Sequence, residues 1–340
     1  MLNKLRNKIN YHFFLLGEKQ EKGPFEYLKL SMLTLYLKTK NFFLTSDNKA
    51  ASISYIRFEY FKNKFLRKNF KYVTLKDLYD WTADWLKEIP LDIDIIVAVP
   101  RSGLLVGTLI SVLRSKPLTT PDLFIKNRYW KSKHMEDQTI KKVFLVDDST
   151  TTGKTIIKNF NLLEKTYPAI KIIKGALIAT RDSKPILDTY HKIIPHPRIF
   201  EWNIMHGKRF RLAVDLDGVL CEECPPYVDS TESLYIKWIS NAKPLRVPGF
   251  KIDAIVSNRL ESYREVTEKW LEKNNIRYKK LYLWDIDSKF KRKNYAVNKI
   301  EHLIKIKPNL YWESDIKQAK LIFEKTKIPT LSIKDNILFS

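Results

Sequence analysis

Two stretches of this chain place acids where they could do chemistry. The first is "VDDSTTTGKT", Val146 to Thr155. Asp147 and Asp148 follow the apolar run Val143-Phe144-Leu145 and precede a hydroxyl-rich turn that contains Gly153. Carboxylates accept hydrogen bonds from sugar hydroxyls, and successive backbone N–H groups opening a helix favour a phosphate. Together they describe a site for a sugar phosphate, with Gly153 permitting the tight turn. The second stretch is "AVDLDGVLC", Ala213 to Cys221, where Asp215 and Asp217 also follow an apolar strand and Gly218 lets the chain turn out of it. Paired acids on a surface are common, but here both pairs end buried strands.

The elements that must hold these residues are legible from periodicity. "TLKDLYDWTADWLKEI" (Thr74 to Ile89) opens on a hydroxyl cap and spaces Leu75, Leu78, Trp81, Trp85 and Leu86 as a helix does. "DIIVAVP" is a short buried strand, "LLVGTLISVLR" a buried helix, and "LFIK" a further strand. "KKVFLVDD" and "IKIIKGALIAT" are strands separated by the amphipathic helix "TIIKNFNLLEKTY". The Pro-containing "HKIIPHPRIFEWNIMHGKR" (His191 to Arg209) breaks the alternation and reads as a junction. After it the alternation restarts: strands "RLAVDLDGVL", "KIDAIVSNR", "KKLYLW", "NLYWESD" and the closing "IPTLSI", with helices "SYREVTEKWLEKNN", "KNYAVNKIEHLIKI" and "IKQAKLIFEKT". The expected class is α/β with two doubly wound parallel-sheet domains, residues 70–205 and 206–340, behind a basic, aromatic, helical N-terminal extension, residues 1–69.

Ligands of open parallel sheets bind beyond the carboxyl ends of the strands. In the first domain, two such ends carry unusual loops. "FLVDDSTTTGKT" resembles the motif by which type I phosphoribosyltransferases bind phosphoribosyl pyrophosphate (PRPP), and "VAVPRSG" resembles the same family's pyrophosphate loop. The likeness covers roughly residues 70–200, and it implies a PRTase type I fold. It also implies that Asp147 and Asp148 hold the ribose hydroxyls, that Thr150, Thr151, Thr152, Gly153, Lys154 and Thr155 cradle the 5-phosphate, and that Arg101, Ser102 and Gly103 contact a pyrophosphate chelated by magnesium. Thr150 and Lys154 depart from the family's usual aliphatic residue and second glycine; Lys154 could add a cation near the phosphate or point to solvent. Helix capping is the bland reading of the acid pair, yet capping needs neither two acids nor the matching upstream loop. "PLTTPDLFIKNRYWKSKHMEDQTIK" stands where the family has a flexible loop, so Lys126, Arg128, Lys131 and Lys133 could close on the pyrophosphate or remain solvated.

"AVDLDGVLC" resembles the first motif of the haloacid dehalogenase (HAD) superfamily of aspartyl-nucleophile phosphatases, and the matching order extends over residues 210–335. That resemblance implies a HAD-like Rossmannoid fold with a small cap between Leu220 and Lys251. Asp215 would attack phosphorus, Asp217 would serve as acid and then base, and Ser257 in "IVSN" would bond the phosphoryl group. Asp215, Asp217, Glu313 and Asp315, the last two from "YWESD", would hold magnesium. The lysine motif has candidates Lys289, Lys291 and Lys293, of which Lys293 opens the helix "KNYAVNKI". Arg259 is a further candidate phosphate contact.

Composition limits the partners. With 44% hydrophobic and 13% aromatic residues, the 340-residue chain can build real cores. Its net charge of +23 invites a polyphosphate, an anionic membrane surface or nucleic acid. Acids are interspersed throughout and no nucleic-acid module is recognisable, so nucleic acid is not an expected partner. Cys221 and Cys224, the two cysteines, lack further metal-ligand spacing and read as buried filler in a reducing cytosol. "YLKLSMLTLYLKTKNFFL" (Tyr27 to Leu44) is either a basic amphipathic helix at a membrane interface or a helix packed on the neighbouring domain. The expected location is the cytoplasm, and the inner face of the cytoplasmic membrane is the further option that the interfacial reading of that helix would bring.

The combination carries the functional expectation. A phosphoribosyl transfer followed by removal of a phosphate leaves plain ribofuranose on the acceptor. Such pairs resemble the bifunctional glycan phosphoribosyltransferase/phosphoribosyl phosphatase enzymes of bacterial surface polysaccharide biosynthesis, which implies PRPP and a glycan acceptor, lipid-linked in some cases, as partners. Two alternatives stand beside it: nucleobase salvage coupled to a nucleotidase, which needs a base-binding hood that the sequence does not identify and for which Trp202 is either a stacking residue or a core residue, and a non-catalytic PRPP sensor.

Overall fold

Alternation along the strands shows how the first half is layered. In the computed structural model, which describes residues 70–133, 135, 139–205, 210–228, 231–285 and 295–340, Ile95, Val97, Val143 and Leu145 turn to one side of a sheet while Ile96, Ala98, Phe144 and Val146 turn to the other. All described residues belong to one compact unit, Ile56–Ser340. The expected N-terminal helical extension lies outside the described residues.

In chain order, β1 (Lys71–Val73) leads to α1 (Leu75–Trp85), β2 (Ile95–Ala98), α2 (Gly103–Arg114), β3 (Leu118–Thr119), the one-turn α3 (Pro121–Phe124), β4 (Lys142–Ser149), α4 (Lys154–Thr166), β5 (Lys171–Ala179), β6 (Thr189–Ile193) and β7 (Arg198–Phe200). The start of α1 is a capping box, as its sequence announces: Thr74 accepts from the Asp77 backbone and Asp77 from the Thr74 backbone. The sheet order is β3-β2-β4-β5-β6, all parallel. Leu78, Trp85, Val106 and Ile110 from α1 and α2 cover one face, and Phe124, Ile156 and Leu163 from α3 and α4 cover the other. "LFIK", expected as a strand, is instead the end of α3 and the turn after it. Pro121 stands at the helix start after an extended Thr120, a geometry that begins a helix, and the strand is the preceding Leu118–Thr119.

The second half contains β8 (Leu212–Val214), α5 (Glu232–Asn241), β9 (Ala254–Leu260), α6 (Arg264–Lys273), β10 (Leu281–Trp284), α7 (Tyr295–Ile306), β11 (Leu310–Glu313), α8 (Ile316–Thr326), β12 (Thr330–Ser332) and β13 (Ile337–Phe339). Its sheet order is β10-β9-β8-β11-β12-β13. "IPTLSI" is not the last strand: it turns back into β13, which pairs antiparallel to β12. Trp270 and Leu271 of α6 pack under one face of the sheet, and Leu303 of α7 and Ile322 of α8 under the other. α5 stands in the connection between β8 and β9 and joins Leu260 and Tyr263 through Tyr235 and Ile239.

The Pro-containing junction is more structured than its sequence suggests. β7 pairs parallel with β1 in a two-stranded ribbon. Strand alternation gives the ribbon two apolar faces. Val73 and Phe200 enter the first core, whereas Phe70, just before β1, and Ile199 enter the second. The ribbon is thus shared by both cores. No helix among the described residues is long and apolar enough to cross a membrane.

Candidate functional site

The first candidate site lies at the carboxyl ends of the adjacent parallel strands β2 and β4, paired in register through Ala98 and Val146. The loop after β2 begins with a cis Pro100–Arg101 peptide. Arg101 is exposed. A Cβ on Gly103 would lie 3.0 Å from Asp147 Oδ1, so the absence of a side chain lets this loop abut the acid pair. Asp147 Oδ1 accepts the Asp148 backbone N–H at 2.9 Å. Burial, reinforced by the neighbouring Asp148, pushes the Asp147 carboxyl well above the usual carboxylate range. Asp148 Oδ2 accepts the Trp202 indole N–H at 2.7 Å, and the Trp202 ring stacks on Phe200 with centroids 4.7 Å apart.

The hydroxyls of the following loop divide their work. Thr150 Oγ1 accepts the Gly153 N–H at 2.9 Å and so closes the turn from inside. Thr151 Oγ1 lies 3.1 Å from His196 Nε2 and accepts from Arg198 Nη2 at 3.3 Å. Arg198, only 3% exposed, also donates to the Thr150 carbonyl at 3.1 Å, which puts a buried guanidinium directly behind the loop. Thr152 is half-buried, Lys154 half-buried at the start of α4, and Thr155 exposed in its first turn. Gly153 has φ +74°, and a Cβ there would lie 1.5 Å from Ile186 Cδ1. Gly153→Ala is therefore expected to cost at least about 2 kcal/mol in stability through positive-φ strain and overlap, measurable as a lowered urea midpoint. Lys126, Arg128, Lys131 and Lys133 are exposed, on a segment pinned at its base by the Leu118–Trp130 bridge.

Burial of Asp147 beside Asp148 sets stability at neutral pH against the ribose-binding role expected of the pair. A carboxyl whose native pKa is raised stabilises the fold below its unfolded pKa and loses that contribution as pH rises through the native value. At pH 7–8, Asp147→Asn is expected to gain about 1 kcal/mol, roughly 2–4 °C in melting temperature, while weakening binding of a ribose phosphate. Calorimetric melting and ligand titration of the same variant test both halves of the trade.

The second candidate site lies at the carboxyl ends of β8 and β11 and against the middle of β9, where Asp215, Glu313 and Ser257 are brought together by parallel pairing; β9 runs on to Leu260, so Ser257 does not end its strand. Asp215 is 4% exposed; its Oδ1 accepts the Leu216 N–H at 2.8 Å and its Oδ2 accepts Lys299 Nζ at 2.7 Å. The same ammonium donates to both Glu313 oxygens, at 3.1 and 2.9 Å, and Glu313 also accepts from Tyr311 Oη at 3.2 Å. Burial first, and then the nearby Glu313 carboxylate, push Asp215 well above the usual range, with Lys299 opposing the shift. Gly218, at φ +74°, lets the loop pass against Ser314 and Glu223. Ser257 is fully buried, its hydroxyl accepting the Arg259 N–H at 3.2 Å.

Two expectations change here. Arg259, offered as a phosphate contact, is 1% exposed and instead grips Asp217 through Nη2 at 2.6 Å and Nε at 3.1 and 3.2 Å. Asp315, offered as a metal ligand, is exposed and caps α8 by accepting the Gln318 N–H at 2.7 Å. Lys293, with Lys289 and Lys291, lies outside the described residues; among the described residues a lysine that reaches the acids is Lys299. Its signal was present in the sequence: Lys299 shares the core-facing stripe of α7 with Ala296 and Leu303, where a lysine needs a buried partner. Cys221 is fully buried and does more than fill space, its Sγ lying 3.2 Å from Asp217 Oδ1; Cys224 is half-buried, and neither forms a disulfide.

The donor chemistry of this second cluster fits magnesium in part. Two buried carboxylates face one ammonium, and all the donors are hard oxygens. Asp217 and Asp315, however, are engaged elsewhere, and no group of three or more His, Cys, Asp or Glu among the described residues converges as a metal cage.

No family model matches this chain, and no curated protein matches it. Among solved structures it is similar to the Helicobacter pylori xanthine-guanine-hypoxanthine phosphoribosyltransferase, with 14% identity over 40% of this chain and 93% of that one and a TM-score of 0.32. It is also similar to the Pyrococcus horikoshii Ot3 purine phosphoribosyltransferase, with 21% identity over 39% of this chain and 93% of that one and a TM-score of 0.30. A chain of the Pnkp1/Rnl/Hen1 complex aligns with 80% of this chain and 90% of its own length at 17% identity and a TM-score of 0.27. At these scores the likenesses stand as similarities only, and function has to be argued from the residues themselves.

Proposed function

We propose that this chain is a bifunctional enzyme: residues 70–205 transfer 5-phosphoribosyl from PRPP to a glycan acceptor, and residues 206–340 remove the 5-phosphate to leave ribofuranose. The observation that carries the reading is the presence, in one compact unit, of two strand-end acid sites with complementary chemistry. One is the Asp147–Asp148 pair against the Gly103 loop and the Thr150–Thr155 turn, and the other is Asp215 held by Lys299 beside Glu313.

In the transfer, Asp147 and Asp148 orient the ribose through its hydroxyls. The turn at Thr150–Thr155, backed by Arg198, receives the 5-phosphate, and Arg101 to Gly103 face the departing pyrophosphate. The bond from the anomeric carbon to pyrophosphate breaks as the acceptor oxygen forms its own and gives up its proton to the departing pyrophosphate, so the protein's task is alignment and charge stabilisation. In the hydrolysis, Asp215 attacks phosphorus to give an aspartyl-phosphate, and Asp217, oriented by Arg259, passes a proton to the leaving oxygen and then takes one from water. Lys299 and Ser257 hold the phosphoryl oxygens. Magnesium at this site would be held through Asp215 and Glu313; when bound it supplies positive charge against the phosphoryl oxygens.

A phosphatase beside a transferase defeats nucleotide salvage but completes the delivery of an unphosphorylated sugar, which favours a glycan acceptor. Phosphorus NMR of the protein with PRPP, magnesium and either nucleobases or surface-glycan oligosaccharides tests it. Pyrophosphate followed by inorganic phosphate with the oligosaccharides is the expected result; turnover with nucleobases alone would overturn the glycan reading.

A further inference from the structure

One turn holds two separate parts of the first site. The single 3-10 turn Glu201–Asn203 follows β7. Trp202 donates to Asp148 Oδ2 at 2.7 Å, and Asn203 Oδ1 accepts the Ser102 hydroxyl at 3.0 Å. Adjacent residues of one turn thus hold the acid pair and the loop expected to face pyrophosphate. Glu201 anchors the turn on its other side. Its Oε2 accepts the Leu75 N–H at the start of α1 at 2.7 Å, and its Oε1 accepts the side-chain amide of Asn336 at 3.0 Å.

Asn336 belongs to the other half of the chain, in the tight turn between β12 and β13, with a left-handed φ of 57°. Its amide is used at both ends, because Oδ1 also accepts the Tyr72 hydroxyl from β1 at 3.1 Å. Behind the turn lies a cavity of about 50 Å³, lined by Phe200, Asn203 and Ile204 from one half and Phe210, Leu212 and Trp312 from the other. Packing is incomplete there, so directional hydrogen bonds have to set where the turn sits.

We infer that Glu201–Asn203 is the positioning element of the PRPP site and that the C-terminal half sets it through Asn336. The inference rests on the reading of residues 70–205 as a PRPP site. Trp202 and Asn203 act through Asp148 and Ser102. A carboxylate has lone pairs enough for the indole and a ribose hydroxyl together, so the indole bond pre-orients Asp148 without blocking it. The phosphatase half is then a structural requirement for tight donor binding as well as a second catalyst.

The test is calorimetric titration of the full chain with PRPP and magnesium. Trp202→Phe keeps the ring on Phe200 and removes the N–H; its Kd is expected to rise about tenfold. Asn336→Gly keeps the left-handed backbone and removes the amide, for a rise of about threefold. Asn336→Asp sets a carboxylate against Glu201, for about tenfold. Adding Glu201→Gln to Asn336→Asp supplies an amide donor to the new carboxylate and should bring binding back to within about threefold of wild type. Urea midpoints of the same variants show that each is fully folded during the titration, so that a change in Kd reports the site and not lost stability; absence of rescue overturns the inference, as do Asn336 variants that bind like wild type. If wild-type protein binds no PRPP, the PRPP reading falls and takes this inference with it.

Discussion

Asp215→Asn, given PRPP, magnesium and an acceptor, releases pyrophosphate at the wild-type rate and stops at a product that still carries a phosphomonoester. This is the largest effect expected on activity. Asparagine cannot form the acyl phosphate, so phosphate release should fall by about 10⁴-fold or more. The transfer step should be untouched because its proposed acids, Asp147 and Asp148, end a strand of a different sheet. Folding should be tolerant too. The Asp215 carboxyl is already pushed up by burial and by Glu313, so a neutral amide removes a buried charge that the site holds at a cost. Phosphorus NMR reads both steps at once. Loss of pyrophosphate release in this variant would sink the model of two separate sites.

Lys299→Met is expected to have the largest effect on stability. Its ammonium, 3% exposed, bridges Asp215 and Glu313, which are 6% and 0% exposed at their side chains. Removing one member of a buried ionic cluster leaves the others uncompensated, for about 3–5 kcal/mol. The pH dependence follows from the shifts. The Lys299 pKa is raised by both acids against the opposing effect of burial, so in the wild type its contribution is present throughout the neutral range and lost only as pH rises through that raised value. In the variant, Asp215 and Glu313 repel each other with no cation between them, and a proton becomes the substitute. The deficit should therefore be greatest at high pH and shrink as pH falls. Urea midpoints of wild type and variant between pH 5 and 9, on the order of a standard buffer series, check this. A deficit that does not change with pH would mean that lost packing, and not charge, is the cause.

Much of the first half was legible because its signals are local. The β-branched runs at Ile95 and Val143, the Thr74 cap and the Pro–Gly punctuation depend on neighbours a few residues away, and they yielded the parallel α/β class and most element positions. Errors occurred where one residue outweighed the pattern. Pro121 turned an apolar stretch into a helix, and a polar turn around Asn336 hid the return strand β13. At the sites, Asp147, Asp148, Asp215 and Glu313 could be named because a strand end is a local feature, whereas Ser257 lies within β9. Lys299, Arg198 and Trp202 carry no motif of their own. Each becomes meaningful only through a partner far away in sequence: Asp215, Thr150 and Asp148 respectively.

The sequence by itself determined which strands end in acids, which loops can turn there, and the two-sheet α/β class, because alternation, caps and glycines act within one or two turns of chain. Only the tertiary structure decided that Arg259 serves Asp217, that Lys299 lies between two buried carboxylates, and that a turn of one half is held by Asn336 of the other. A long polar side chain can reach several partners, and which it meets depends on how sheets and helices converge. Burial then enforces that choice, since a charge removed from water has to find an opposite charge or a donor within hydrogen-bonding distance.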